Sequence, residues 1–501
     1  MNYDTIIGLE IHAELKTKSK MFCECNNDAE GKKPNTCVCP ICLGHPGTLP
    51  IPNKQAIDWT ILVGLALNCQ INQLSKFDRK NYFYPDLPKG YQVSQYDLPF
   101  CYDGWLDIDG RQIKITRIHL EEDTGKLSHP TNKKHSLVDL NRAGTPLLEM
   151  VTEPVIKSAA EAKKFCQVYQ QILRYLKISD ADMEKGQMRC EANISVQEKG
   201  KWKYNGHCEI KPVKDYKLNP KIEVKNINSF KAVEKAIEYE IKRQTEAIKD
   251  GEKLIQETRG WNENSGKTFR QRVKETSADY RYFPEPDIPP IKISPKQIAK
   301  IKKSLIELPL AKNKRFREQY DFDANTADIL VADKNLADYA EKVISELRAW
   351  IDSNGDNWER QKKKLAKAAS NWLISELFKY FKNGETIKNI KITPENFAEL
   401  ITLVYQGKIN SSTGQKILKI MYKKGGDPTN IMADLGLEQI DDSAELEKII
   451  NSILKKNKAQ VEQYKKGKTN VMQFFVGQTM AKTHGKANPK VVIEILKKLL
   501  K

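Results

Sequence analysis

The pattern of residues 5–16 constrains the fold of this chain more than any other stretch. Its apolar side chains recur as in a buried strand: Ile6, Ile7, Leu9, Ile11, Ala13 and Leu15. Since successive strand side chains point to opposite faces of a sheet, the polar side chains share one face. These polar residues are Glu10, His12, Glu14 and Lys16. Two carboxylates, an imidazole and an ammonium there indicate either a magnesium–phosphate site or a solvated face with compensating charges.

Three later segments favour the magnesium–phosphate site. Residues 113–126, 136–150 and 186–196 each contain a strand pattern that carries acids and cations. Their charged candidates are Glu121, Glu122, Asp123, Glu149, Arg189 and Glu191. Three consecutive carboxylates repel one another, and a divalent cation with phosphate relieves that repulsion. We therefore expect an Mg²⁺ site with oxygen ligands, assembled from four strands of one sheet.

Four cysteines in two close pairs predict a structural zinc site. Cys23 and Cys25 form one pair, and Cys39 and Cys42 form the other after thirteen intervening residues. Paired thiolates from a turn-rich loop can close a tetrahedron around one zinc ion. Cys37 is a fifth candidate, and unconnected reduced thiols are the alternative. A catalytic zinc is disfavoured, because it keeps an open position and commonly recruits a histidine or a carboxylate.

Length and charge predict a multidomain cytoplasmic protein with an anionic partner. The 501 residues exceed what one hydrophobic core holds, which gives about three domains. The net charge of +18 indicates nucleic acid. A membrane is not expected as partner, because the longest apolar run, residues 61–67, is too short to span one. The polar opening residues do not resemble a signal peptide, so the ten cysteines are expected as thiols rather than a disulfide framework.

The excess positive charge is concentrated at the end of the chain. Residues 456–501 contain eleven lysines, no arginine and two glutamates, a net +9 of the total +18. Lysine without arginine suits contact with the phosphate backbone more than base reading. We therefore expect this segment to bind RNA, with a merely solvated lysine face as the alternative.

The expected fold class is α+β. Successive strands lack regular β–α–β alternation, which predicts a mainly antiparallel sheet in residues 1–292. The proline-dense stretch 280–290 closes this domain. Helical periodicity then predicts an all-α domain over 293–425 and a small helical tail domain over 426–501.

Two further segments bear on nucleotides and bases. Residues 76–86 interleave cations, among them Arg79 and Lys80, with aromatic residues that can stack on a base. Packing of these aromatics in the core is the alternative, and the sequence alone favours it. Residues 260–268 imitate a P-loop, but five residues separate the two glycines where the motif needs four, and no strand is expected before them. Any ATP is therefore expected to bind without a P-loop.

These motifs together closely resemble the B subunit of the bacterial glutamyl/aspartyl-tRNA amidotransferases. The matching stretches, in order along nearly the whole chain, are IIGLEIHAELKTKSKMFCEC, CPICLGHPGTLP, KFDRKNYFYPDLPKGYQVSQYD, IHLEEDTGK, LVDLNRAGTPLLEMVTEP, QMRCEANISV, ETRGWNENSGKTFRQRVKETSADYRYFPEPD and FFVGQTMAKTHGKANPKVV. The resemblance implies a cradle-shaped first domain, a helical domain and a tRNA-binding tail. It also implies a heterotrimer with an amidase partner, the A subunit, and a small linker partner, the C subunit. The misacylating synthetase is a further candidate partner.

The resemblance implies a reaction and its cofactors as well. ATP phosphorylates the side-chain carboxylate of misacylated Glu-tRNA(Gln) or Asp-tRNA(Asn), and ammonia from the amidase partner then displaces the phosphate. ATP, Mg²⁺ and a structural Zn²⁺ are the implied cofactors. The enzyme class is a ligase that forms a carbon–nitrogen bond with glutamine as amide donor.

Roles are carried over residue by residue from the resemblance. The metal and phosphate set is Glu10, His12, Glu122 and Glu191, of which the last three are assigned to magnesium. Second-rank members are Glu121, Asp123 and Glu149, and the expected cationic clamps are Lys16, Arg79, Lys80 and Arg189. Glu191 stands where many relatives have Asp, which puts its direct ligation in doubt.

The sequence leaves three questions open. A zinc-stabilised tRNA-binding protein without chemistry is one alternative, against which the acids on four strands argue. The archaeal glutamate-specific subunit is another, but it carries an inserted domain for which this chain has no room. The sequence does not say whether Glu-tRNA(Gln), Asp-tRNA(Asn) or both are substrates.

Overall fold

The computed structural model describes residues 3–131, 133–273, 280–382, 384–436, 443–483 and 486–500. Residues 274–279, part of one of the matching stretches, lie outside them. The chain divides into two compact units, Met1–Leu308 and Pro309–Lys501. The expected α+β class is confirmed, with a mostly antiparallel sheet first and a helical region after it. The predicted boundaries after residues 292 and 425 stay predictions.

The strands described all lie in the first unit. In chain order they are β1 Tyr3–Glu14, β2 Gln70–Ile71, β3 Leu74–Ser75, β4 Asp78–Asn81, β5 Tyr91–Ser94, β6 Cys101–Ile108, β7 Arg111–Glu122, β8 Lys126–Ser128, β9 Leu137–Asp139, β10 Pro146–Thr152, β11 Met188–Glu198, β12 Trp202–Gly206, β13 Glu209–Pro212, β14 Ile222–Ile227, β15 Glu257–Asn262, β16 Lys267–Val273, β17 Phe283–Pro284 and β18 Ile291–Lys292. The four strands predicted to carry the charged site are thus present as β1, β7, β10 and β11.

Helices occur in both units. The first unit has α1 Lys54–Ala66, α2 Ala159–Tyr175, α3 Phe230–Lys249 and α4 Pro295–Lys303. The second has α5 Pro309–Tyr320, α6 Ala324–Val331, α7 Lys334–Ser353, α8 Trp358–Asn371, α9 Pro394–Tyr405, α10 Ser411–Lys424, α11 Pro428–Asp434, α12 Ser443–Lys456, α13 Lys458–Lys465, α14 Val471–Lys482 and α15 Pro489–Leu499. None of the helices described is both long enough and apolar enough to cross a membrane.

β1 lies in the middle of the main sheet. The strand order is β16-β15-β14-β11-β1-β10-β7-β6-β2, and every neighbouring pair is antiparallel except β14 with β15. The apolar side chains of β1, such as Leu9 and Ile11, are fully buried in a core shared with α1, α2 and α3. Because strand side chains alternate, Glu10 and His12 point to the opposite face. The helices thus cover one face and leave the other for the charged residues.

Local signals in the sequence explain where the core helices begin. Ser158 and Ser229 are the N-caps of α2 and α3, and their hydroxyls accept hydrogen bonds from the backbone amides of Glu161 and Ala232. The apolar residues at helical spacing in α2, including Phe165, are buried as expected. Capping and periodicity act within a few residues, which is why both helices were predictable.

The second unit contains two hydrophobic cores among its described residues. The first is built from α5 to α11 and includes Leu336, Val343 and Leu347 of the predicted stripe on α7. The second stripe begins on α8 and continues into a π-helical turn, Trp372–Leu377, instead of one continuous α-helix. The tail core holds residues such as Phe475 and Val492. Phe474, also expected there, is exposed instead.

The segment that imitates a P-loop is a β-hairpin. β15 and β16 pair antiparallel, with Trp261 opposite Thr268, and the turn between them carries the second glycine. A phosphate-binding P-loop leads from a strand into a helix, so this geometry excludes it. The expectation that no strand precedes the loop was wrong, since Glu257–Asn262 is β15.

Candidate active site and zinc site

The central strands bring imidazoles and carboxylates together on the sheet face opposite the core helices, where His119, Glu121 and Glu149 are buried. In the register of β1, β10 and β7, His12 lies opposite Glu149, and Glu149 lies opposite His119. Glu149 Oε2 is 3.2 Å from His12 Nε2 and 3.1 Å from His119 Nε2. Glu121, two residues after His119 and therefore on the same face, has its Oε1 3.7 Å from His12 Nε2. We call Glu10, His12, His119, Glu121 and Glu149 the acid–imidazole cluster.

The donor atoms of this cluster are close enough to hold a cation. Glu10, His12 and Glu149 form one group, and His119, Glu121 and Glu149 form another, with ligand atoms within 4.8 Å of one another in each. Burial and the Glu149 carboxylate raise the pKa of Glu10 to about 7. This crowding of buried carboxylates is what a divalent cation relieves. The residues present therefore fit the implied metal.

Protonation of His12 can take the place of such a cation. Burial lowers the pKa of His12, but the surrounding carboxylates, Glu149 first, outweigh burial and raise it to about 9. An imidazole must be neutral to ligate a metal, so metal and proton compete for this nitrogen. With either a metal ion bound or His12 protonated, a positive charge therefore balances the carboxylates of the cluster.

Glu122 is placed away from the cluster. As the neighbour of Glu121 in β7 it points to the other side of the strand. Its carboxylate forms an ion pair with Lys89 and accepts a hydrogen bond from the backbone amide of Val93 at 3.0 Å. The structure thus brings Glu121 and Glu149, ranked second by sequence, to His12, and it does not bring Glu122 there.

Glu191 lies beside the cluster. It is directly opposite Glu10 in the pairing of β1 with β11. Its Oε2 accepts a hydrogen bond from Lys225 Nζ at 2.7 Å. Glu191 is therefore near enough to influence Glu10, but its own charge is already compensated.

The four predicted cationic clamps differ in how firmly they are held. Arg79 makes a bidentate pair with Glu285, at 2.7 and 2.8 Å. Arg189 Nη2 is 2.5 Å from Asp123 Oδ2. Lys80 faces the cluster, and it forms no ion pair and donates no side-chain hydrogen bond within the described part of the chain. Burial lowers its pKa, but Glu121 and Glu149 raise that pKa above the ordinary lysine value, so the ammonium stays charged.

Lys16 was expected on the strand face, but β1 ends at Glu14. Lys16 therefore lies after the strand, where its Nζ is 2.6 Å from Asp180 Oδ1. It lines a cavity of about 1010 Å³ together with Glu14, Lys126 and Arg142. Because Glu14 follows His12 by two residues on the same face, the cavity opens beside the cluster.

The four predicted zinc ligands converge as well. The Sγ atoms of Cys23, Cys25, Cys39 and Cys42 lie within 4.8 Å of one another. Four thiols in two close pairs are the donor set of closed structural zinc sites, so the residues fit this metal. Cys37 is outside the group, and its backbone amide donates to Asn141 Oδ1 instead.

Comparison with known proteins identifies the family. The GatB/GatE catalytic domain matches residues 5–299, and the GatB domain matches residues 358–500. The chain belongs to the GatB/GatE family. It is 45% identical to the B subunit of the aspartyl/glutamyl-tRNA(Asn/Gln) amidotransferase of Thermosipho melanesiensis, covering 100% of both chains. Proteins of the same name from Persephonella marina and Dehalococcoides mccartyi are also 45% identical, over 100% and 99% of both chains.

The resemblance seen in the motifs is thereby confirmed. The GatB/GatE catalytic-domain match contains the whole acid–imidazole cluster and the four converging cysteines. The second match contains nearly all of the lysine-rich end of the chain.

Sequence reasoning missed two residues near the site. His119 stands two positions before Glu121, so the same alternation that selected Glu10 and His12 could have identified it. Lys225, the partner of Glu191, lies on β14, which was not recognised as a strand. The alternation of Ile222 and Val224 with Glu223 and Lys225 is the signal that could have identified it.

Proposed function

We propose that this chain is the tRNA-modifying component of an ATP-dependent amidotransferase. It converts misacylated Glu-tRNA(Gln), Asp-tRNA(Asn) or both to the amidated forms. The observation that carries the proposal is the acid–imidazole cluster beside the ammonium of Lys80, in a chain of the GatB/GatE family. The relatives' names supply the substrate class, and the cluster supplies a place for the chemistry.

The chemistry needs activation because a carboxylate is a poor electrophile. An oxygen of the side-chain carboxylate attacks the γ-phosphorus of ATP, and ADP leaves. Ammonia then attacks the carbonyl carbon of the acyl phosphate and inorganic phosphate leaves. The attacking nitrogen loses a proton and becomes the amide nitrogen of the product. Mg²⁺, bound by Glu10, His12 and Glu149, would neutralise phosphate charge as these bonds form.

The residues of the chain contribute charge and position. The ammonium of Lys80 is fixed beside Glu121 and Glu149 and can hold an anionic oxygen of phosphate or substrate. Arg189 is bound to Asp123 and so shapes the site more than it binds substrate. The cavity lined by Lys16, Lys126 and Arg142 has a volume of about 1010 Å³, which is large enough for a nucleoside triphosphate.

The cysteines and the tail have supporting roles in this proposal. Zinc on the four cysteines would be structural, since four protein ligands leave no open position. Lys20, three residues before Cys23, donates from Nζ to the carbonyl of Ala143 at 2.7 Å, which ties the cysteine loop to the turn between β9 and β10. The lysine-rich tail would contact the tRNA backbone. An amidase, the A subunit, supplies ammonia, and the small C subunit and the misacylating synthetase complete the set of proposed partners.

The test uses the purified complex with ATP, Mg²⁺ and each misacylated tRNA in turn. ADP should form only when misacylated tRNA is present, and amidated tRNA should appear with either glutamine or free ammonia. A protein that only binds tRNA would show affinity without ADP formation. Absence of tRNA-dependent ADP with both substrates would overturn the proposal.

A further inference from the structure

Four tyrosines form one group of ring contacts that reaches the ammonium of Lys80. They are Tyr82, Tyr96, Tyr280 and Tyr282, and we call them the tyrosine array. We propose that this array is the stacking platform for the 3′-terminal adenosine of the aminoacyl-tRNA. The inference rests on the proposed function and adds to it the residues that receive the end of the substrate.

The array is an ordered set of ring contacts between two distant segments. Tyr96 and Tyr282 are stacked, with ring centroids 4.3 Å apart and planes inclined by 11°. Tyr280 makes edge contacts with Tyr82 and with Tyr282, at 6.1 and 6.0 Å. The backbone of Tyr280 is held by Asn81, whose amide donates to the carbonyl of Tyr280 at 3.0 Å. The rings are therefore positioned before any ligand arrives.

The array adjoins the cluster through β4 and β5. Lys80 pairs with Gln92, and Asp78 pairs with Ser94, so their side chains share one face. Ser94 Oγ donates to Glu121 Oε2 at 2.9 Å, which places this face against the cluster. Lys80 Nζ lies 5.2 Å from the ring centroid of Tyr280. One ammonium thus connects the carboxylates with the aromatic rings.

The core packing that the sequence favoured for residues 76–86 holds for Phe77, which is buried, whereas Phe83 and Tyr84 are 84% and 59% exposed. In the array, Tyr82 and Tyr282 are partly buried, Tyr96 is 57% exposed and Tyr280 is 36% exposed. A folded chain gains little from tyrosines that it leaves in water, whereas a grouped exposed aromatic surface is a common binding feature. RNA-binding proteins stack unpaired terminal bases on such rings.

The proposed reaction requires the 3′ end of the tRNA to bind beside the acid–imidazole cluster. The amino acid is esterified to the ribose of the terminal adenosine, and an extended glutamyl side chain spans only about 6 Å at ordinary bond lengths. When the side-chain carboxylate of the substrate lies in the cluster, the terminal nucleotide therefore lies within about one side-chain length of Lys80. The tyrosine array is an aromatic surface at that place, with Tyr96 and Tyr280 exposed.

The terminal adenosine of the tRNA and ATP need different kinds of surface. A nucleoside triphosphate needs a large cavity, and the cavity beside Glu14 has a volume of about 1010 Å³. The array is instead a surface of aromatic rings, with Tyr96 57% exposed and the Lys80 ammonium 5.2 Å from the ring centroid of Tyr280. The nucleotide with the single terminal ribose and no free phosphate suits the array better.

The experiment compares two tRNA transcripts, one intact and one lacking only the terminal adenosine, bound to the complex with its partner proteins. Base stacking on an aromatic ring predicts that the wild type prefers the intact transcript by roughly tenfold or more. Tyr280→Ala and Tyr96→Ala should remove most of this preference. Tyr280→Phe, which keeps the ring, should retain it. Tyr84→Ala is the matched control, because Tyr84 is exposed in the same segment but outside the array.

Steady-state kinetics with free ammonia as amide donor supply the second readout. The alanine variants should raise the KM for misacylated tRNA and leave the KM for ATP unchanged. A higher KM for ATP alone would mean that the array holds the base of ATP, and an unchanged preference for the intact transcript would also overturn the inference. If the alanine variants misfold, Tyr280→Leu keeps the bulk and removes the ring.

The two proposals fail differently. A wild-type complex without tRNA-dependent ADP formation would overturn the proposed function, while the binding comparison of the two transcripts would still decide the role of the array. Normal ADP formation with no effect of the tyrosine variants would overturn the array alone.

Discussion

At the scale of single residues, Glu149 is the centre of the candidate site. It lies within hydrogen-bond distance of both imidazoles, and it belongs to both groups of possible metal ligands. Its pKa is held well below the ordinary value because His119 and His12 outweigh the opposing effect of burial. Glu149 therefore stays ionised, as a metal ligand must.

Glu149→Gln should abolish phosphorylation without removing the tRNA. The change keeps the size of the side chain and deletes its charge, and loss of one transition-state contact of this kind costs ~100-fold or more in rate. tRNA-dependent ADP formation should fall by that factor, with glutamine or free ammonia, while tRNA affinity is retained. Glu263→Gln, an exposed carboxylate on the β15–β16 turn, is the control. Near-normal ATP turnover in Glu149→Gln would show that the site is elsewhere.

Glu122→Gln should lower the stability of the fold and leave metal binding unchanged. It breaks the buried pair with Lys89 and leaves that ammonium without its counter-charge, which costs about 3 kcal/mol when one partner of a buried pair is removed. The melting temperature should fall by several degrees. Titration with Mn²⁺ as a probe should show unchanged metal affinity, whereas Glu149→Gln should weaken it. A loss of metal affinity in Glu122→Gln with normal melting would favour the original assignment of Glu122.

At the scale of elements, the loop that carries the four converging cysteines, residues 23–42, is the part of the fold that we expect to depend on a metal ligand. Four thiols converge with no disulfide, and the described loop between the pairs forms no regular strand or helix. A loop of this kind buries little apolar surface, so metal ligation is the interaction that can hold it. Lys20, three residues before Cys23, links this loop to the turn between β9 and β10 through its hydrogen bond to the carbonyl of Ala143.

The purified chain should contain about one zinc ion, since a closed tetrahedral site holds one. Cys23→Ser and Cys39→Ser should lose the metal and lower the melting temperature, because each removes one of the four ligands. Cys37→Ser is the matched control, as Cys37 is buried nearby but outside the group. Elemental analysis and melting curves provide the measurements. Protein prepared under reducing conditions without chelator and containing no zinc would refute the site.

At the scale of the whole molecule, the residues proposed for catalysis and those proposed for tRNA attraction occupy different parts of the chain. The cluster and the cysteines belong to the first unit, and the lysine-rich segment belongs to the second. Long-range attraction of an anion depends on net charge, whereas phosphoryl transfer depends on ångström-scale placement. Such functions can be removed separately.

Deleting residues 456–501 should weaken tRNA binding without abolishing the chemistry of bound substrate. The KM for misacylated tRNA should rise, and the salt dependence of binding should flatten, because lysine–phosphate contacts release counterions. Glutamine hydrolysis by the partner, measured without tRNA, should persist. Replacing Lys465, Lys466 and Lys468 by Gln should reproduce part of the effect, and the same change at exposed Lys199, Lys201 and Lys203 is the control. If the deletion leaves the tRNA affinity and its salt dependence unchanged, the concentrated positive charge of this segment does not serve tRNA binding.

The sequence by itself determined the features that depend on neighbours along the chain. The alternation in residues 5–16 correctly placed Ile11 in the core and His12 on the opposite face. The serine caps set the starts of α2 and α3. Close pairing of the cysteines predicted their convergence. Each of these follows from steric alternation, capping or short loop length, which act over a few residues.

Only the tertiary structure decided which strands are neighbours and in which register. His12 and Glu149 are far apart in the sequence, and their contact depends on the pairing of β1 with β10. A shift of one residue in that register would turn a side chain to the opposite face. The same alternation brought Glu121 rather than Glu122, and Lys80 rather than Arg79, to the cluster. Charge and spacing made these residues candidates, and the free energy of packing the whole sheet selected among them.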